Sequence, residues 1–270
     1  MTRPPIGANT WIWTSPVTDE QLVELVPRLS QWGFDLIELP IENLTDWDPE
    51  RTAELLKEHG LGASICIAMA PGRELCASDA GTIASTQEFL QRSIDAAATV
   101  GSTVIAGPIY ASVGRTWRMS GQERAAVYTE LRTALTPVCE YGAERGVRVA
   151  IEPLVRYETS VINTVEQALE VLDGLPAEGS GLLVDNYHAN VEERDVAGAF
   201  RLAPESGRLW MIVGGVVSIV LGMMMWAQYP LSGGWAIGTL LGIKLLFIGI
   251  AMLTAGAGVR AVVKGAQALA

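Results

Sequence analysis

Along the first 200 residues, short apolar runs alternate with amphipathic stretches. The runs Ile6–Trp11, Asp35–Ile41, Gly62–Ala68, Ser102–Ile109, Val147–Leu154 and Gly181–Tyr187 predict six strands. Helices with readable ends are expected between them. Thr18 with Gln21, Ser120 with Glu123 and Thr164 with Gln167 have the spacing of capping boxes. Asp48-Pro49 starts another helix, and Gly33 and Gly60 stop two. Regular strand–helix alternation predicts parallel strands with helical crossovers. The strands are apolar nearly throughout, as in strands covered on both faces. The expected fold is α/β: about six βα units of a (β/α)8 TIM barrel, which needs eight.

The pattern changes after residue 203. Residues 209–227 form 19 positions without a charge, and residues 234–255 form 22 with one, Lys244. Each suffices to cross about 30 Å of hydrocarbon at about 1.5 Å per residue. Trp210, Trp226, Tyr229 and Trp235 stand at the ends of these stretches, where aromatic belts lie. Gly214, Ser218 and Gly222 make one small-residue face, and Gly238 and Gly242 another. The expectation is a partial barrel over 1–203, a junction at 204–208 and a two-helix transmembrane hairpin over 209–270. Basic residues flank the hairpin on its outer sides only, which predicts a plasma-membrane protein with the barrel in the cytoplasm. Lys244 has no acidic residue in its region, so it is expected to snorkel or to face other helices.

Charge follows the same division. The net charge is −11, residues 209–270 carry +3, and residues 1–208 carry −14 from 16 basic and 30 acidic residues. An acidic globular part excludes a nucleic-acid partner of the usual basic-patch kind. Three cysteines without metal-type spacing (Cys66, Cys76, Cys139) fit a reducing compartment.

The chemistry is expected at the C-terminal ends of the strands. Glu38 and Glu42 follow the second strand, Glu152 and Glu158 the fifth, and Asp185 and His188 the sixth. Glu152 and Asp185 end neighbouring strands, and two converging carboxylates repel unless a cation joins them. A divalent metal is the economical explanation. His188 is read as a ligand of substrate or metal. His59 precedes Gly60 at a helix C-terminus, a favourable charge–dipole position that needs no function. Glu42 is read equally as a solvated loop residue or a substrate contact.

The segments "IGANTWIW", "WGFDLIELPIEN", "AGPIYASVGRTWRM", "AIEPLVRYETSVINTVEQALE" and "DNYHANVEERD" resemble the ketose 3-epimerases, sugar isomerase/epimerases of the xylose-isomerase-like TIM barrels. The likeness runs from about residue 6 to 201. It implies a metal (Mn2+, Mg2+ or Co2+) held by a fifth-strand Glu and a sixth-strand Asp, matching Glu152 and Asp185, with a seventh-strand His and an eighth-strand Glu. It implies ketose contacts at Glu158 and His188, a pocket lined by Cys66, Gly107 and Trp117, and C3 epimerisation through an enediolate. Glu152 is then one of two metal-bound acid/base glutamates. Val155 replaces the family's usual Asn. The seventh-strand His, eighth-strand Glu and a later Arg find no counterpart, so the expectation is a weakly held metal and impaired turnover. The hydrophobic part resembles the last hairpin of the HdeD family of membrane proteins. Two alternatives follow: an HdeD-like membrane protein, or a non-functional fusion of two truncated genes. The expected partners are a ketose, the lipid bilayer and further copies of the chain, joined through barrel edges or the glycine-rich helix faces.

Overall fold

The computed structural model describes residues 5–202. The stretches 209–227 and 234–255, Lys244 and the expected junction lie outside the described residues. Among the described residues no helix is long and apolar enough to cross a membrane.

All six expected strands form: β1 (Gly7–Asn9), β2 (Leu36–Pro40), β3 (Gly62–Cys66), β4 (Val104–Gly107), β5 (Arg148–Ile151) and β6 (Ser180–Leu182). They pair in sequence order, β1-β2-β3-β4-β5-β6, every pair parallel. The crossovers are α1 (Asp19–Trp32), α2 (Pro49–His59), α3 (Ala80–Thr99), α4 (Gly121–Glu144) and α5 (Val165–Leu172). Two short helices follow β6: α6 (Asn186–Glu192) and α7 (Val196–Leu202). This is a TIM-barrel-like α/β sheet.

The strands are shorter than the apolar runs. The first run ends as the 3-10 turn Thr10–Ile12. The sixth ends inside α6, because Asp185 caps that helix and turns the chain. Apolar composition marked the buried segment, and the capping side chain set where extended structure stops.

The helix ends match the sequence signals, with one shift. Ser120 Oγ accepts from Glu123 N, and Glu123 Oε2 accepts from Ser120 N at 2.7 Å. Gln21 Oε1 accepts from Thr18 N at 2.9 Å. Gly33 and Gly60 take φ of 83° and 65°, the left-handed conformation that stops α1 and α2. At α5, Thr164 Oγ1 accepts from Gln167 N, but Gln167 Oε1 reaches back to Asn163 N, one residue before the expected partner.

Side-chain alternation gives the sheet two different faces. Ile37, Leu39, Ile65, Ile105, Val149 and Ile151 point outward into the main hydrophobic cluster beneath the helices. In the other register, Cys66, Ala106, Ala150 and Gly181 are neighbours across β3–β6. No large side chain fills this row. The carboxylates stand around it.

Candidate active site

Glu152 directly follows β5. Its N–H donates to the Gly107 carbonyl at the end of β4 (3.0 Å), and its own carbonyl accepts from the buried Tyr110 hydroxyl (2.8 Å). Its backbone is therefore fixed on both sides, and its side chain is half-buried at the C-terminal end of the sheet. Burial first, and then the charges of Asp185, Glu38 and Glu158, push its carboxyl from 4.5 up to about 8. Desolvation and like charge both favour the neutral acid. An acid/base group poised near neutrality is suited to proton transfer.

Gly107 has no side chain for a structural reason. Its φ is 136°, and a Cβ there would collide with the Ile67 carbonyl. Its carbonyl accepts from both Glu152 N and Ile109 N. Its backbone carbonyl thus holds Glu152 in place. Gly107→Ala is expected to lower stability by about 1–3 kcal/mol, read as a shift of the urea unfolding midpoint at unchanged slope.

Asp185 is the N-cap of α6. Its Oδ1 accepts from Tyr187 N (2.6 Å) and His188 N (3.2 Å). His188 sits in the first turn, and its Nδ1 accepts from Val155 N at 3.1 Å. In the neutral imidazole the proton is then on Nε2, which makes His188 a hydrogen-bond donor. A donor suits a sugar oxygen, whereas a metal needs the lone pair. Only the backbone of Val155 is used here, and its side chain is buried, so the departure from Asn leaves this contact intact.

Glu158 lies on the β5–α5 loop, whose course is set by the β4–α4 loop. Gly114 N donates to the Glu158 carbonyl (2.7 Å), Trp117 N donates to Ser160 Oγ (2.8 Å), and Arg115 and Thr159 form a parallel bridge. The Arg115 guanidinium lies 4.8 Å from the centre of the Trp117 ring. Beneath it, Glu74 is buried, pairs with Arg115 (2.8 Å), and accepts from Ser112 N and Ser112 Oγ. The placing of Glu158 and Trp117 rests on this buried carboxylate.

Cys66 ends β3, buried. Burial, followed by the charge of Glu38, raises its thiol well above its usual range, so it is a neutral group. All three cysteines are free thiols. Sequence reasoning passed over Asn9 and gave Glu38 no role. Asn9 Nδ2 donates to Glu38 Oε2 (2.7 Å) and Cys66 Sγ (3.3 Å), which links the ends of β1 and β3 to Glu38, a residue inside β2 rather than after it as expected. The available signal was a polar residue at the end of each apolar run. Glu42 joins two loops: its Oε1 accepts from Trp11 Nε1 (2.9 Å) and Ser15 Oγ (2.5 Å).

The site has the carboxylate oxygens that a hard divalent cation takes. The charge of Asp185 raising the Glu152 carboxyl is the repulsion that such an ion relieves. Among the described residues, however, no group of three or more His, Cys, Asp or Glu side chains gathers in ligand geometry. Glu152 and Asp185 supply oxygens of the right chemistry, and a closed cation site would need further donors.

Residues 26–212 match the family described as xylose isomerase-like TIM barrel. The chain belongs to this family. It is 30% identical to a ketose 3-epimerase of Arthrobacter globiformis over 71% of this chain and 65% of that protein. It is also 30% identical to a probable ketose 3-epimerase of Synechocystis over 72% and 67% of the two chains. The fold superposes on a crystal structure of D-allulose 3-epimerase from Methylomonas sp. with a TM-score of 0.67 at 26% identity, covering 75% of this chain and 70% of that one. The chain thus spans about two thirds of the length of these curated relatives.

Proposed function

We propose that the cleft is a sugar epimerase/isomerase site acting at C3 of a free ketose, with Glu152 as its acid/base. The observation that carries this reading is the Glu152 carboxyl, pushed up to about 8 on a backbone fixed by Gly107 and Tyr110. The relatives named as ketose 3-epimerases support the substrate class.

Glu152 and Asp185 would hold a divalent cation, Mn2+, Mg2+ or Co2+. Such an ion supplies Lewis-acid stabilisation of negative charge on the sugar oxygens. The residues of this chain do the rest. His188 Nε2–H donates to a sugar oxygen and Glu158 accepts from a hydroxyl. Cys66, Trp117 and the Gly107 backbone shape the pocket. Glu152 as carboxylate takes the C3 proton, the C–H electron pair moves toward the C2 carbonyl, and an enediolate results. Return of that proton by Glu152 restores the starting sugar. Inversion needs an acid on the opposite face.

Residues 209–270 contain no His, Asp or Glu, so they offer no further donors of the kind seen at Glu152 and Asp185. We therefore propose proton exchange at C3 with little net epimerisation and a weakly held ion. The test incubates the full chain with Mn2+ and a panel of ketoses in D2O. Deuterium at C3 by mass spectrometry without a new epimer on chiral chromatography is the expected result. Robust epimer formation contradicts the impairment, and no deuterium uptake contradicts the site.

We further propose that the apolar stretches 209–227 and 234–255 anchor the barrel to the cytoplasmic side of a membrane. The carrying observation is their length, with at most one charge each. Retention in membranes after an alkaline carbonate wash supports an anchor, and release contradicts it. If the hairpin alone is the working part, as in an HdeD-like protein, oligomers will persist after residues 1–200 are deleted.

A further inference from the structure

We propose that Arg156 and Glu192 form a positioning latch that fixes which nitrogen of His188 carries the proton. Two consecutive backbone N–H groups of the β5–α5 loop, at Val155 and Arg156, meet two acceptors one turn apart on α6. Val155 N donates to His188 Nδ1 at 3.1 Å, and Arg156 N donates to Glu192 Oε1 at 2.8 Å. The Arg156 guanidinium then grips the same carboxylate. Its Nε donates to Oε1 and Oε2 (2.9 and 3.1 Å) and its Nη2 donates to Oε2 (2.7 Å). The Glu192 side chain is only 4% exposed while that of Arg156 is 63% exposed, so a shielded carboxylate is gripped by a guanidinium that reaches it from the solvent side.

A third contact extends the seam. Glu193 Oε1 accepts from Val165 N, the first residue of α5, at 2.7 Å. The loop and α6 are thus joined in a fixed register, and the His188–Val155 hydrogen bond exists only in that register. That bond leaves the Nδ1 lone pair occupied and directs Nε2–H outward as a donor. The chain relays backbone geometry to an imidazole tautomer. Arg156 and Glu192 act through His188 rather than on the sugar.

The catalytic relevance of the latch rests on the proposed sugar-binding role of His188, but its test does not. The chain has two histidines, His59 and His188. The full-length chain, labelled with 15N-histidine and held in detergent, is examined at about pH 8.5, roughly two units above the ordinary imidazole pKa. His59→Gln assigns the two rings. His188 is expected to show the Nε2–H tautomer alone. In Glu192→Ala that single signature is lost to a mixture of tautomers, while the far-UV spectrum and the His59 signals stay unchanged. Glu192→Gln, which keeps an acceptor for Arg156 N–H, retains more of the Nε2–H form. If Glu192→Ala does not fold, Arg156→Met is read instead, with the same direction expected. An Nδ1–H tautomer in the unaltered chain overturns the proposal, as does an unchanged tautomer in folded Glu192→Ala or Arg156→Met. Loss of deuterium exchange without a tautomer change would fault the sugar-site reading of His188 and the latch together. A tautomer change in a chain that never exchanges C3 hydrogen leaves the latch standing and removes the epimerase reading.

Discussion

Glu152→Gln is expected to lower the rate of C3 deuterium incorporation by about 10²–10⁴-fold, the span that one positioned acid/base group contributes. Glutamine keeps the size and the backbone hydrogen bonds to Gly107 and Tyr110, so the fold remains. It cannot accept a proton. It also removes the charge that Asp185 and Glu38 oppose, so the variant is expected to be at least as stable as the parent above pH 8. The measurement pairs exchange rate by mass spectrometry with a thermal melt. Loss of activity at equal or higher melting temperature identifies a functional carboxylate, because a structural one would lose both.

The largest stability effect is expected far from the chemistry, at Glu74. Its carboxylate sits beneath the β4–α4 loop with three donors around it: Ser112 N, Ser112 Oγ and Arg115 Nη1. Ser112 is buried, so Glu74→Ala leaves an N–H and a hydroxyl without partners and Arg115 without its anion. Unpaired buried polar groups cost about 1–3 kcal/mol, and breaking a buried ion pair about 3–5. Arg115 is one-third exposed and keeps hydrogen bonds to the Cys76 and Ala77 carbonyls, which lowers the sum to about 2–4 kcal/mol. Glu74→Gln retains acceptors and falls between. Glu74→Ala is also expected to weaken ketose binding, because Arg115 supports Trp117 and forms an isolated bridge with Thr159 on the β5–α5 loop. Equilibrium urea unfolding measures the first effect, and ketose-dependent protection from unfolding measures the second.

Much of this arrangement was legible in the sequence. Six apolar runs gave six parallel strands in order, and glycine and capping signals gave the helix ends. Glu152 was legible because a carboxylate at the exit of a buried run has few structural uses. The strand ends were not, because apolar composition continues past the point where Asp185 begins a helix. The roles of Asn9 and Glu74 were hidden for another reason. Each works through a partner at least 29 residues away, at Glu38 and at Ser112, and periodicity carries no such information. His188 was visible as a candidate, but its tautomer depends on a backbone N–H of a different loop. Gly107 was chosen as a pocket residue, and the structure gives its missing side chain a backbone cause.

The central claim is that this cleft holds Glu152 as a proton carrier beside carboxylates fit for a cation. Its folded-state carboxyl is raised above its unfolded value. The protonated form is therefore favoured by folding, and the associated stability is complete below about pH 4.5 and is lost as pH rises through about 8. The loss is at most about 1.4 kcal/mol per pH unit in that window. The most direct measurement is a 13C-NMR titration of the Glu152 carboxyl in the full chain, with Glu152→Gln to assign it, in chelator and then in excess Mg2+. A midpoint near 8 that falls when Mg2+ is added is the predicted result. An ordinary carboxylate midpoint that ignores Mg2+ would contradict the account.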